Sequence, residues 1–292
     1  MGIASTRLIR PRAALVLGRV SNLPTIVSNA LAGVILSAVP DCSTARMMTG
    51  VLALILFYVG GMYLNDAFDA PVDAVERPAR PIPRGDAARG TVFVLGFLLL
   101  TLGLAVTAAA RSEAGWTGAA LAAAIILYDV IHKRTALAPL VMGLCRLLSY
   151  LTVAAIIGSR LDAWPLLIGA VGLFSHVVGL TYAARQEAYD RLEATWPLAV
   201  LAVPLAWALW FGRHVPLALV LWAGLAAASA LGLHRLFRRA PGDVPQAVAL
   251  LIAAIALYDA VLIAASGATE AAFVAALCFP ATLALQRIIP GT

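Results

Sequence analysis

Charge is what this 292-residue chain has least of: 12% of its residues are charged, against about 25% in an ordinary soluble domain. With 62% hydrophobic residues and a mean hydropathy of +0.92, a soluble globular fold is excluded and a polytopic membrane protein is left. Lysine is almost missing too: of 21 basic residues only Lys133 is not arginine. The three cysteines, Cys42, Cys145 and Cys278, have no C-x-x-C spacing, which argues against both a disulfide framework and a thiolate metal site. The four histidines, His132, His176, His214 and His234, show no ligand spacing. The net charge of +6 is not gathered on a soluble segment with interleaved aromatics, so no nucleic-acid partner is expected. The longest polar stretch, about 66–90, is too short for a soluble domain. No small-residue cleavage site follows the first long apolar run, so a removed leader is not expected. The lack of a transit segment points, indirectly, to a bacterial inner membrane.

What the chain has instead is apolar runs. They fall near 22–40, 47–65, 91–110, 115–131, 137–158, 163–182, 196–212, 215–233, 246–266 and 271–288. Each is roughly long enough to cross a bilayer as a helix at about 1.5 Å per residue. Backbone groups in lipid must pair within their own segment, so helices are the expected form. The runs near 115–131 and 196–212 are short, which leaves nine or ten membrane helices in an all-α bundle, read as one domain over 1–292. Loop charges test the count. With ten spans, 16 basic residues fall on one side, and only Arg46, Arg111, Arg160 and Arg213 fall on the other. Such a split places the N-terminus and the loops after the second and sixth spans in the cytoplasm.

The exception to the apolar pattern is "YLNDAFDAPVDAVERPARPIPRG", residues 63–85. If the second helix continues past Leu64, Asp66, Asp69 and Asp73 stand at i, i+3 and i+7 on one face, with Asn65 beside it. Three carboxylates that close repel one another and call for a cation. Oxygen ligands from Asp and Asn suit a hard ion, chiefly Mg²⁺, which commonly shares its shell with substrate phosphates. Arg77, Arg80 and Arg84 follow in a turn stiffened by Pro78, Pro81 and Pro83. Arginine is the preferred fork for phosphate oxygens. The stretch therefore reads as a Mg²⁺-plus-arginine clamp for a diphosphate at the mouth of a bundle, and a diphosphate with a membrane-soluble body is most simply an isoprenoid diphosphate. The alternative is a set of solvated loop charges in local ion pairs.

"NDAFDAPVDAVERPARPIPRG" resembles the N-D-x-x-D-x-x-x-D and R-P-x-R-P-I-P-x-G signature of the UbiA superfamily of intramembrane prenyltransferases. "GRVSNLPTIVSNALAG", with Arg19 and Asn29, resembles that family's first span, and "YDVIHKRTALAPLVMGLCR" its fourth-to-fifth connection. The resemblance implies a central cavity open sideways to lipid. It also implies an enzyme that uses Mg²⁺ to move a prenyl group from an isoprenoid diphosphate to a lipophilic, often aromatic, acceptor. Carried over by position, Asn65, Asp66, Asp69 and Asp73 would hold Mg²⁺, the three aspartates being the catalytic set, and Arg77, Arg80 and Lys133 would grip the diphosphate.

The chain departs from that pattern after the sixth span. "TYAARQEAYDRLEATWP" offers Glu187, Asp190 and Glu193 where the family has aspartates spaced by three, and Arg185 where an acid is expected. Tyr182, Glu187 and Asp190 are the second-motif candidates and Arg185 a further diphosphate ligand. The weakened motif keeps open a second reading, a non-catalytic isoprenoid-binding or transport component with only the first clamp. Inside the spans, Asp129 and Lys133 at i, i+4 are placed to pair, Arg146 to meet Asp259, and His176 to be a hydrogen-bonded interior residue.

Overall fold

A computed structural model describes residues 9–37, 39, 42–186 and 196–291. Among them there is no strand. The helices are α1 (Pro11–Leu17), α2 (Leu23–Leu36), α3 (Thr44–Glu76), α4 (Arg89–Ala110), α5 (Ser112–Ile131), α6 (Ala138–Ile157), α7 (Trp164–Gln186), α8 (Ala202–Gly212), α9 (Pro216–Arg238), α10 (Asp243–Ala265) and α11 (Thr269–Gln286). Within the described residues each apolar run coincides with one of these, the run near 196–212 entering α8 through a 3-10 helix, Trp196–Leu201. Among the described residues eight helices are long and apolar enough to span a bilayer, and Val20–Leu36 and Leu198–Gly212 are shorter apolar helices. The protein is an integral membrane helical bundle.

Local chemistry explains where helices begin and end. Proline stands in the first turn of α1, α2, α6 and α9, where a missing N–H costs nothing. The α3 helix runs for 33 residues, about 50 Å, against a hydrocarbon core of about 30 Å. Its last turns therefore carry the acidic face beyond the apolar layer. Pro71 lies inside α3 and cannot donate to the carbonyl of Ala67. Arg89 supplies the missing donor, its Nε reaching Ala67 O at 2.8 Å. Arg89 also lies over the Phe93 ring, 5.3 Å from its centroid, so the start of α4 is fastened to α3 where Pro71 leaves that carbonyl without a helical donor.

The α3 and α4 helices pack closely through Gly60 and Gly96. A Cβ on Gly60 would stand 3.0 Å from the Gly96 carbonyl, so the two backbones touch only because both positions are glycine. In the other half, α10 is buried on nearly all sides and packs on α2, α7, α8, α9 and α11. Between α2, α3, α5 and α6 lies a cavity of about 70 Å³ with mostly apolar walls, among them Phe57, Leu121 and Ile125. The exposed Trp116, Trp164 and Trp210 lie at the ends of α5, α7 and α8 that also carry Arg111, Arg160 and Arg213. Aromatic and basic residues together are the composition usual at a membrane–water interface.

One buried polar group ties the halves together. Asp259 on α10 accepts hydrogen bonds from Ser28 Oγ, from Asn29 Nδ2 at 2.8 Å and from Tyr150 OH. The expected Arg146–Asp259 contact is not direct. Arg146 Nη1 donates to Asn29 Oδ1 at 2.6 Å, so Asn29 stands between the two charges. His176 is the interior residue expected, 1% exposed, with Nε2 at 2.9 Å from the Leu251 carbonyl.

Candidate active site

The α3 helix runs unbroken through Asp73, so Asp66, Asp69 and Asp73 do share a face. Each acid meets cations from other elements. Asp66 is 3% exposed, and its Oδ1 accepts from Arg19 Nη2 at 3.3 Å and Arg80 Nη1 at 3.2 Å. Asp69 Oδ2 is 3.2 Å from His132 Nε2 and 3.3 Å from Lys133 Nζ, and Lys133 lies 3.9 Å from Asp73 Oδ1. Asn65 bridges: its Oδ1 accepts from Arg19 at 3.2 Å, and its Nδ2 donates to Asp129 Oδ1 at 3.1 Å. The Asp129–Lys133 pair expected from spacing is therefore replaced. Lys133 binds the α3 acids and Asp129 binds Asn65.

Loop 77–88 delivers Arg80 to this group. The Arg77 backbone N–H closes α3 on the Asp73 carbonyl at 2.9 Å, and Gly85, at φ 81°, turns the chain back. Asp86 fixes the turn by pairing with Arg10 and Arg84, each at 2.8 Å. Arg80 is half-buried beside Arg19. Burial and then that neighbouring charge pull its guanidinium below the ordinary arginine range, which an arriving anion would relieve. The Arg77 side chain is exposed and makes no ion pair among the described residues. The family-like spacing thus places Arg80, rather than Arg77, on the acids. Tyr182 is partly accessible on α7 and does not line the cavity. The Arg185 side chain, Glu187 and Asp190 lie outside the described residues.

Two residues absent from the sequence-derived site are present in the fold. Arg19 takes a left-handed backbone, φ 41° and ψ 48°, at a cost of about 1–2 kcal/mol for a residue with a Cβ. Its carbonyl is held by Asn22 N–H at 3.0 Å and Tyr58 OH at 3.4 Å. The strained turn aims the side chain at Asn65 and Asp66. His132 stacks on Tyr128, ring centroids 5.0 Å apart, which sets its imidazole against Asp69. The adjacency of His132 to Lys133 at the end of a span was the available signal for it.

Whether the acids suit a divalent ion is decided by their free oxygens. Asp66 Oδ2 is buried and has no hydrogen-bond partner among the described residues, the condition of an oxygen short of a cation. No three His, Cys, Asp or Glu side chains converge on one point among the described residues. Asp66 and Asp73 lie about 10 Å apart along the helix, too far for one ion with bonds of about 2.1 Å. The set fits Mg²⁺ held by one or two carboxylates, with phosphate oxygens and water completing the shell.

Fold and site together define an integral membrane protein with a charged mouth of acids and guanidiniums over an apolar cavity. The chain belongs to the UbiA prenyltransferase family, whose model matches residues 26–255. It is 41% identical over 69 residues to a digeranylgeranylglyceryl phosphate synthase of Methanoregula boonei, covering 22% of this chain and 25% of that protein. It is 32% identical over 134 residues to a protoheme IX farnesyltransferase of Geobacter sulfurreducens, covering 45% and 46%. These matches span between a quarter and a half of the curated relatives' length. A UbiA homolog from Aeropyrum pernix K1 superposes with TM-score 0.66 at 19% identity, over 82% of this chain and 97% of that one. A UbiA homolog from Archaeoglobus fulgidus, bound to GPP and Mg²⁺, superposes with TM-score 0.54 at 12% identity, over 94% and 99%.

Proposed function

We propose that the protein is a Mg²⁺-dependent prenyltransferase that moves a prenyl group from an isoprenoid diphosphate to a lipophilic acceptor inside the membrane, acting as a single domain with its charged mouth toward the cytoplasm. The observation that carries this reading is the pairing at the mouth: Asp66 with Arg19 and Arg80, and Asp69 with His132 and Lys133, directly above an apolar cavity. Its setting is the family membership and the diphosphate bound by a structural neighbour.

The ion pairs at the mouth are a resting arrangement. An arriving diphosphate competes for Arg80 and Lys133, with Arg77 swinging in from solvent. Asp69, with Asp66 or Asp73 as its neighbour on the same face, would then be free to hold Mg²⁺ through one or two carboxylates, with Asn65 fixing the turn beside them. Bound Mg²⁺ would supply positive charge to the diphosphate oxygens. The bond from prenyl C1 to the diphosphate oxygen breaks, and the arginines and Lys133 hold the negative charge that develops. Phe57, Leu121 and Ile125 keep water from the allylic cation, and the faces of Tyr58 and Tyr128 attract it. The acceptor attacks C1 and loses a proton, and diphosphate leaves.

The test uses purified protein in lipid vesicles with labelled allylic diphosphates of several lengths, Mg²⁺ and a lipid extract. Mg²⁺-dependent diphosphate release that disappears in Asp69→Ala is expected. Label retained on the protein in an Asp69-dependent way, with no release, would overturn transfer and establish a carrier.

A further inference from the structure

The left-handed turn at Arg19 is held by the segment that follows α11. Arg19 Nε is buried with no hydrogen-bond partner among the described residues. Only the tip of the side chain is fastened, on Asn65, Asp66 and the Met62 sulfur, the last at 3.3 Å. The direction of its stem is therefore set by the backbone of the turn. That backbone offers its carbonyl to two donors, Asn22 N–H and Tyr58 OH.

Tyr58 has one proton to give, and the group facing its oxygen decides where that proton goes. Asn22, 4% exposed, is that group. Its Nδ2 donates to Tyr58 OH at 3.2 Å and to the Gly291 carbonyl at 3.0 Å, and its Oδ1 accepts from Gln286 Nε2 at 2.9 Å. A carbonyl can only accept, so Gly291 fixes which end of the Asn22 amide faces it. The hydrogen bonds then run one way: Gln286 to Asn22, Asn22 to Tyr58, Tyr58 to the Arg19 carbonyl. The α11 helix packs on the turn Val20–Asn22. The fit beyond it is close, since a Cβ on Gly291 would stand 2.8 Å from Asn22 Oδ1 and 3.1 Å from Gln286 Nε2. Gln286 Oε1 is left buried and unpartnered among the described residues while its donor points at Asn22, an arrangement that carries a desolvation cost.

We infer that Asn22, Gln286 and Gly291 form a positioning strap: the segment after α11 orients the Asn22 amide and, through Tyr58, the Arg19 backbone, so that the Arg19 guanidinium meets Asn65 and Asp66. Without the strap the Asn22 amide is free to turn over. Tyr58 then donates to Asn22 Oδ1, and the Arg19 carbonyl loses one of its two donors. The effect of the strap on turnover rests on the transfer reading, whereas the coupling of the segment to the Arg19 turn does not.

Hydrogen exchange of residues 17–23, in the full-length protein in lipid nanodiscs without Mg²⁺ or prenyl diphosphate, reads that coupling. Gln286→Met keeps the side-chain length and removes the donor. It is expected to speed exchange at the turn about fivefold, the ratio expected of one lost neutral hydrogen bond, and Gly291→Ala should act in the same direction. In a Tyr58→Phe background, which lacks the relaying hydroxyl, Gln286→Met should add nothing there. Unchanged exchange in Gln286→Met and Gly291→Ala, or the same acceleration with and without the Tyr58 hydroxyl, would overturn the strap. Gly291→Ala, outside any helix, decides where Gln286→Met does not fold. In the diphosphate-release assay the half-saturating Mg²⁺ concentration should rise about fivefold in Gln286→Met. A lower kcat at an unchanged Mg²⁺ requirement, the mark of lost folded protein, would overturn the positioning role. Coupled exchange in a protein that never releases diphosphate would uphold the strap and refute the transfer reading alone.

Discussion

Replacing Arg89 with alanine tests whether one side chain supplies the hydrogen bond that Pro71 removes from the helix carrying the acidic face. Pro71 leaves the Ala67 carbonyl without its helical donor, Ala67 is fully buried, and Arg89 Nε fills the place at 2.8 Å. Removing Arg89 orphans a buried acceptor, which costs about 1–3 kcal/mol. It also removes the contact with Phe93, worth about 0.5–1 kcal/mol. Arg89→Ala should therefore destabilise the bundle by about 2 kcal/mol or more. In a Pro71→Ala background residue 71 regains an N–H that can reach Ala67. The same Arg89→Ala change should then cost only the ring contact, so the two substitutions couple by about 1–2 kcal/mol. Unfolding of the four proteins in mixed detergent micelles, followed by tryptophan fluorescence, gives the cycle. Additivity within about 0.3 kcal/mol would refute the claim that Arg89 stands in for the missing helical donor.

Lys133→Met should raise KM for the allylic diphosphate about tenfold or more, whereas Lys133→Arg should retain most of the affinity, as measured by steady-state diphosphate release. Asp259→Leu leaves the donors of Asn29 and Tyr150 buried and unpaired, Ser28 keeping the Thr25 carbonyl, and should cost about 3 kcal/mol or more, with Asp259→Asn less damaging because it keeps one acceptor; thermal unfolding in detergent separates the two. Gly60→Val would drive a side chain into the Gly96 carbonyl, part α3 from α4 and sharply lower the yield of folded protein by size-exclusion chromatography. Chelation by EDTA should stop diphosphate release in vesicles, and Mg²⁺ in excess should restore it.

The acidic face was readable from sequence because its order is local. Spacings of three, four and seven within one helix place Asp66, Asp69 and Asp73 together whatever else the chain does. The ten apolar runs were readable for a similar reason, since length and hydropathy belong to each segment alone. Partnerships between helices were not. Asp129 and Lys133 are four apart, but α5 ends at Ile131, so Lys133 has left the helix and its phase no longer applies. It turns instead to Asp69. Arg146 and Asp259 do approach through the bundle, yet Asn29 occupies the space between them, and no spacing in the chain announces that. Arg19 reaches Asp66 only through a left-handed turn that ordinary propensities do not favour at arginine.

The most direct test of the central claim is stoichiometric. Protein in vesicles is given an allylic diphosphate labelled differently in its prenyl and diphosphate halves, together with Mg²⁺ and the acceptor-containing lipid extract. Prenyl transfer requires one prenyl group to appear in a new lipid for each diphosphate released, with both lost together in Asp69→Ala. Free prenol in place of a prenylated lipid, or a prenyl diphosphate recovered intact, would contradict it.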